Sequence, residues 1–224
     1  HRRQLRRHLA GAWGTVYVAE PLRQAYPPPH PDQRTEVISD LRLPDTYFTA
    51  PASYPKRDDC TIRLVTVGRL ETQKDHATLL RAMAHLKSTP DRLWQLHLVG
   101  DGPLREDLER LAGSLGIGEL VTFHGFVAWG PELKALLGQM DLFVLSSISE
   151  GMPRALLEAL AAGLPAVSTR VSGATELLDD GLLAPIGNPQ ELAERIVFAA
   201  ASPAHLESIA GDGWERVQAY RRSG

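Results

Sequence analysis

From Thr61 onward, short apolar runs alternate with stretches in which apolar residues recur at helical spacing. Ile62–Val67 reads as a buried strand, and Leu79, Leu80, Met83 and Leu86 then form a helical stripe. Leu93–Val99 is a second strand, followed by the stripe Leu104, Leu108, Leu111 and Leu115. Val121–Phe123 is a short strand, followed by Leu133, Leu136, Leu137 and Met140. Leu142–Leu145 and Pro165–Ser168 are strands on either side of a helix over Pro153–Ala162. Helices over Ala174–Leu178, Leu192–Ala200 and Ala204–Ala219 close the chain.

Strand and helix in strict alternation predict βαβ units: an α/β, Rossmann-like parallel sheet with helices on both faces. The strands are continuous apolar runs, as strands buried on both faces should be. Residues 1–60 have another texture, rich in Arg, Pro and polar residues, with Thr15–Ala19 as a strand. Pro27-Pro28-Pro29 and the stretch Pro51 to Pro55 read as loop and linker. The expected division is therefore 1–60 as one unit and 61–224 as the sheet domain with its C-terminal helices.

Composition changes this picture little. With 43% hydrophobic and 23% charged residues, the chain is an ordinary globular one. A net charge of −3 supplies no global field for nucleic acid. The basic start HRRQLRRH reads as a solvated helix face or a fragment start, with a membrane-surface patch as the alternative. Cys60 is the only cysteine, which excludes an internal disulfide and a thiolate zinc site and fits a reducing, cytoplasmic compartment. No apolar run approaches the ~20 residues of a membrane span, and no apolar h-region follows the N-terminus. His1 stands where an initiator methionine would, so a start inside a longer protein is expected.

Sheets of this type bind ligands at the carboxyl ends of their strands. After the first strand, Gly68 permits a sharp turn, and Arg69 and Lys74 follow it. Two cations there suit a diphosphate, though solvated surface cations have the same spacing. After the second come Gly100-Asp101-Gly102-Pro103, where two glycines permit close approach and Pro103 marks a first helical turn. After the third come His124, a ligand, base or structural residue, and Phe126, which stacks on a base or simply packs.

The fourth junction, Ser146 to Glu158, carries most. A polar loop with Glu150, Gly151 and Met152 leads to Pro153, which opens a helix whose first amides, Arg154 and Ala155, make an anion site. Glu158 then lies within an almost wholly apolar helix, a costly place for a carboxylate unless it is paired or faces a polar cleft. Taken alone, Glu150 and Glu158 look like an acid/base pair. In the next loop Ser172 is placed as a helix cap toward Thr175.

Together these residues resemble the C-terminal domain of GT-B glycosyltransferases, in the large retaining family often numbered 4. The matching series is Gly68-Arg69-Leu70 with Lys74, Val99 to Pro103, Phe123 to Phe126, Asp141 to Ser147, the E-x7-E motif Glu150 to Glu158, Ala161 to Val167, and Gly173 with Glu176. The resemblance implies a donor site for a UDP-, GDP- or ADP-sugar without cofactor or metal. Arg69 and Lys74 would neutralise the diphosphate, and amides at Arg154 and Ala155 would hold its distal phosphate. Glu158 would bind the ribose, Glu150 the donor sugar, and the backbone at Phe126 and Val127 the nucleobase. Glu150, Arg69 and Lys74 are then the catalytic candidates. Gly68, Gly100, Gly102, Gly151, Met152 and Pro153 shape the donor pocket.

The resemblance also implies an upstream acceptor domain, in cis or trans, of which residues 1–60 would be the tail. The acceptor would be a saccharide, lipid-linked sugar or small molecule. The product would enter polysaccharide or glycolipid, in the cytoplasm or at the inner face of the membrane. A donor-binding module without turnover and a GT-B nucleotide-sugar epimerase are the alternatives. One departure is the short step from Asp179-Asp180-Gly181 into Leu182-Leu183, where the family has more residues.

Overall fold

The computed structural model describes residues 14–17, 23–24, 27–28, 32, 34–37, 42–54, 60–89 and 92–222. Two short strands, β1 (Gly14–Tyr17) and β2 (Arg34–Val37), pair in parallel as a small separate sheet. The rest of the predicted Thr15–Ala19 strand lies outside the described residues.

The main sheet has six strands: β3 (Thr61–Val67), β4 (Leu93–Val99), β5 (Val121–Gly125), β6 (Leu142–Leu145), β7 (Ala166–Thr169) and β8 (Leu183–Ala184). Every pair is parallel, and the order is β5-β4-β3-β6-β7-β8. Counted within the domain this is 3-2-1-4-5-6, the order of doubly wound nucleotide-binding sheets. Chain progression reverses between β3 and β6. In sheets of this order ligands bind at the carboxyl ends of the strands around that reversal. All four residues of β6 and of β7 are buried, which is why those runs carry no polar alternation.

The crossover helices are α1 (His76–Leu86), α2 (Arg105–Ser114), α3 (Pro131–Gly138), α4 (Arg154–Ala161), α5 (Ala174–Leu177), α6 (Pro189–Ala199) and α7 (Pro203–Val217). α1 packs against α2 and α6, and α4 against α7. Local chemistry sets several starts. Asp75 at φ 47° caps α1, accepting from the Thr78 amide and hydroxyl. Asn188 and Ser202 cap α6 and α7, each followed by proline at the first turn. Two sequence expectations are corrected. Pro103 sits in a turn before Leu104 and Arg105 open α2. Ser172 does not cap α5: Gly173 does, and Thr175 Oγ1 donates to the Ser172 carbonyl.

Residues 42–54 are fastened to this domain. Leu43, Tyr47 and Tyr54 are buried in its core. Leu43 N donates to Tyr220 O, and Thr49 N donates to Ala161 O at the end of α4. Tyr54 N donates to Glu207 Oε1 at 2.6 Å. The stretch that begins at Pro51 is thus bolted to the domain as far as Tyr54. The step at 179–183 is a single 3-10 turn, Asp180–Leu182, that enters β8 directly with Leu182 buried.

Candidate functional site

The loop after β3 turns at Gly68, and the loop after β4 lies against it. Gly100 has φ 138°, and a Cβ there would stand 1.9 Å from the Gly68 carbonyl oxygen. A Cβ on Gly102 would stand 2.5 Å from the Leu70 carbonyl oxygen. The space these glycines free is filled by the protein's own chain. That close approach brings the two loops together and leaves a cleft of about 330 Å³ lined by Val67, Gly68, Arg69, Val99, Gly100, Asp101, Phe126 and Val127. Five of the predicted donor residues meet here. Phe126 is 78% exposed on the rim. Arg69 is likewise exposed, with Glu71 at 3.7 Å.

Apart from Gly102, which packs on the Leu70 backbone, the other predicted residues lie together at the carboxyl ends of β3 and β6. After Arg69 the chain makes a 3-10 turn, Thr72–Lys74, that is stitched to the loop after β6. Ile148 N donates to Gln73 O (2.8 Å), Gln73 Nε2 to Ser149 O (2.7 Å) and Ser146 Oγ to Lys74 O (2.9 Å). Lys74 Nζ stands 2.5 Å from Glu150 Oε1, which also accepts from Ser147 Oγ at 2.8 Å. Both side chains of the ion pair are largely sheltered. The pair therefore bridges the two strands at which the chain direction reverses.

Behind Glu150, the loop reaches α4 through Gly151, Met152 and Pro153. The α4 start has no side-chain cap, and the amides of Arg154 and Ala155 precede the first intrahelical donor, Leu156. Gly173 braces this entry: a Cβ on it would lie 2.5 Å from the Gly151 carbonyl oxygen. Glu158 is 8% exposed, and its Oε1 accepts from Arg154 Nε at 2.8 Å, one helical turn away. Burial raises the Glu158 carboxyl above its ordinary range, and the Arg154 guanidinium opposes that rise.

His124 does not line the cleft. Its Nε2 lies 2.9 Å from His97 Nδ1 on the neighbouring strand, and the rings stack. Burial lowers both histidines, His97 to about 4 with help from His124 and Arg63. Glu176 is engaged by Tyr220, whose hydroxyl donates to its Oε2 at 3.2 Å. The sequence reading missed Val67, Val99, Asp101 and Ser147. The two valines were findable, since each is the last residue of a strand aimed at the crevice. Among the described residues, no three His, Cys, Asp or Glu side chains converge as a metal site. No helix among them is long and apolar enough to cross a membrane.

A parallel sheet of order 3-2-1-4-5-6, with cations and carboxylates at its reversal point, is the Rossmann-like half of a GT-B fold. Residues 61–202 match the family model of glycosyl transferases group 1, and the chain belongs to that family. It is 34% identical over 157 residues to the lipopolysaccharide core biosynthesis glycosyltransferase LpsE of Rhizobium meliloti, covering 69% of this chain and 44% of that protein. It is 32% identical over 190 residues to the putative colanic acid biosynthesis glycosyltransferase WcaL of Salmonella typhimurium, covering 80% of this chain and 46% of that one. The chain thus spans about half the length of the curated relatives it matches. Among solved structures, Anabaena HepE with UDP and glucose shares the fold at TM-score 0.77 and 22% identity, over 98% of this chain and 62% of HepE. Sucrose-phosphate synthase from Thermosynechococcus elongatus shares it at TM-score 0.79 and 24% identity, over 98% and 57%.

Proposed function

We propose that this chain supplies the donor site of a retaining glycosyltransferase that moves a sugar from a nucleoside-diphosphate sugar. The observation that carries the reading is the Lys74–Glu150 ion pair at the point where the strand order reverses. It sits between the Arg69 cleft and the uncapped start of α4. A diphosphate laid across this crevice meets Arg69, Lys74 and the amides of Arg154 and Ala155. Breaking the sugar–phosphate bond puts negative charge on the leaving oxygens, and donors already fixed in place stabilise it with little reorganisation.

In the donor-free protein Lys74 and Glu150 satisfy each other. An arriving diphosphate offers Lys74 a second anion and frees Glu150 to accept from sugar hydroxyls. Glu158 accepts from the ribose hydroxyls at the other end, and backbone at Phe126 and Val127 meets the base. The two carboxylates are donor-positioning residues in this reading. Retention then arises by same-face attack guided by the leaving phosphate, as the family resemblance implies. An upstream half would supply the acceptor site, and the relatives make lipopolysaccharide or exopolysaccharide sugars the acceptors to try.

HepE has been seen with UDP and with UDP-glucose, so UDP is the first nucleotide to test. Calorimetry with UDP, GDP and ADP should give micromolar binding of one of them. Arg69→Ala with Lys74→Ala should weaken it at least about thirtyfold, from the loss of two charge-assisted contacts. Unchanged binding in the double variant would sink the phosphate assignment. This chain by itself is expected to bind donor without turnover, so transfer to a simple acceptor would remove the need for an upstream half.

A further inference from the structure

Two serines follow β6, and each is bonded to one member of the Lys74–Glu150 ion pair. Ser146 Oγ donates to the Lys74 carbonyl at 2.9 Å, and Ser147 Oγ donates to Glu150 Oε1 at 2.8 Å. The Lys74 ammonium meets that same Oε1. Both serines are buried, Ser147 completely. Behind them stands Thr169, the last residue of β7, which is also completely buried. β7 pairs with β6 so that Ser168 lies opposite Leu145, and this register brings Thr169 level with the serines. Its hydroxyl donates to Ser147 O at 2.7 Å. The contacts thus run without a gap from the end of β7, through Ser147, to the Glu150 carboxylate.

We infer that Ser147 is a positioning residue for Glu150, seated by Thr169, that keeps the carboxylate in place when an anion draws Lys74 away. Glu150 has these two donors among the described residues, and they differ in freedom. Lys74 is partly exposed, carries its charge on a flexible stem, and is the donor for which an arriving phosphate competes. Ser147 is sealed from solvent and its carbonyl is held by Thr169, so a ligand does not displace it. Its hydroxyl has one proton to give, and the carboxylate takes it in a charge-assisted bond. Both bonds fall on Oε1, which leaves Oε2 to accept from a ligand hydroxyl. A glutamate fixed in advance loses little rotamer freedom when that ligand arrives. The consequence for sugar binding rests on the donor reading proposed above; the seating of Glu150 does not.

The first test needs no ligand. Lys74→Met removes the cation, as a phosphate would by drawing it off, and leaves Ser147 as the donor to Glu150. Ser147→Ala should therefore lower the urea midpoint at least about twice as far in the Lys74→Met background as in wild type. Thr169→Val keeps the side-chain shape, removes the hydroxyl and should show the same excess at smaller size. It carries the test should Ser147→Ala with Lys74→Met fail to fold. If the loss from Ser147→Ala, or in that event from Thr169→Val, simply adds to that from Lys74→Met, the inference is overturned. The second test compares UDP-glucose, which HepE holds in a solved complex, with UDP. Ser147→Ala should weaken UDP-glucose about three- to tenfold more than UDP, the range of a lost hydrogen bond, because the sugar is the part that meets Glu150. Equal weakening of both ligands marks a merely structural serine and also overturns it. Should wild type bind neither, the donor reading fails for uridine donors while the urea comparison still decides this one.

Discussion

At the β3–β5 lip of the crevice, Arg69 is 70% exposed and Phe126 stands out on the rim. At the β6–α4 lip, five residues further along the chain from Arg69, Lys74 is 23% exposed and ion-paired with Glu150, itself 12% exposed. Both lips use glycine for close approach of backbone, Gly100 on one side and Gly173 on the other. They differ in what their side chains do without ligand. One lip is open, and its cation is largely solvated. The other is internally satisfied by the Gln73, Ser146, Ser147 and Glu150 bonds. On the donor reading proposed above, that division would give the site an open side for capture and a pre-organised side for the chemistry.

The largest effect should come from removing the close approach that builds the open lip. Gly100→Ala puts a Cβ 1.9 Å from a carbonyl oxygen at a φ of 138°, so steric overlap and backbone strain act together. Urea unfolding should show a loss of more than about 4 kcal/mol, or no folded protein at all. A loss below about 1 kcal/mol would mean the two loops are free to separate.

Acid should attack the satisfied lip next. His76 opens α1 two residues after Lys74, is almost fully buried, and its Nδ1 has no partner. Burial, helped by Lys74, lowers it to about 4. The unfolded chain then binds a proton between pH 6.5 and about 4 that the folded chain refuses. Stability is therefore intact above pH 6.5 and falls as pH drops through that window, by up to about 3 kcal/mol. His97, also lowered to about 4, adds to the same loss. The urea midpoint followed from pH 7 to 4 should show it, and His76→Gln should flatten the curve.

Breaking the ion pair itself should cost less. Lys74→Met leaves Glu150 sheltered without its cation, at about 2 kcal/mol, while Lys74→Met with Glu150→Gln should recover more than half of that. Additive losses in the double-mutant cycle would show that the two groups do not depend on each other.

How much of this was legible in sequence follows from where each signal lies along the chain. β3, β4, β6 and β7 were placed to within one residue because each is a short, largely apolar run ended by turn residues; β6 and β7 are buried at every position, whereas Leu93 and Gln95 leave one face of β4 exposed. Arg69, Lys74, Glu150 and Glu158 stood out as candidates because they interrupt that pattern at strand ends or inside an apolar helix. The partners were not legible. Nothing local says that Lys74 reaches Glu150, 76 positions away, or that Tyr47 stacks on Trp129. Those contacts depend on the strand order, which periodicity does not specify. The stretch Pro51 to Pro55 read as loop and linker because its prolines interrupt any period, yet Tyr54 is buried and its amide donates to Glu207 of α7.

The smallest expected effect is also the sharpest test of the contrast between the lips. Arg69→Ala removes a side chain whose ion-pair partner, Glu71, stands 3.7 Å away at the exposed surface. Such a pair is worth little, so the urea midpoint should move by no more than about 0.5 kcal/mol. Nucleoside-diphosphate binding should nevertheless fall about tenfold, because a guanidinium that is free in the apo protein spends its hydrogen bonds on the phosphates. Lys74→Met should show the opposite balance: a clear loss of stability, and a binding loss that is partly offset because the donor no longer displaces Glu150. If Arg69→Ala lowers stability as much as Lys74→Met does, the open lip is as internally satisfied as the closed one and the division of labour fails. If it lowers neither stability nor affinity, Arg69 is a solvated surface cation, and the diphosphate lies against the β6–α4 lip alone.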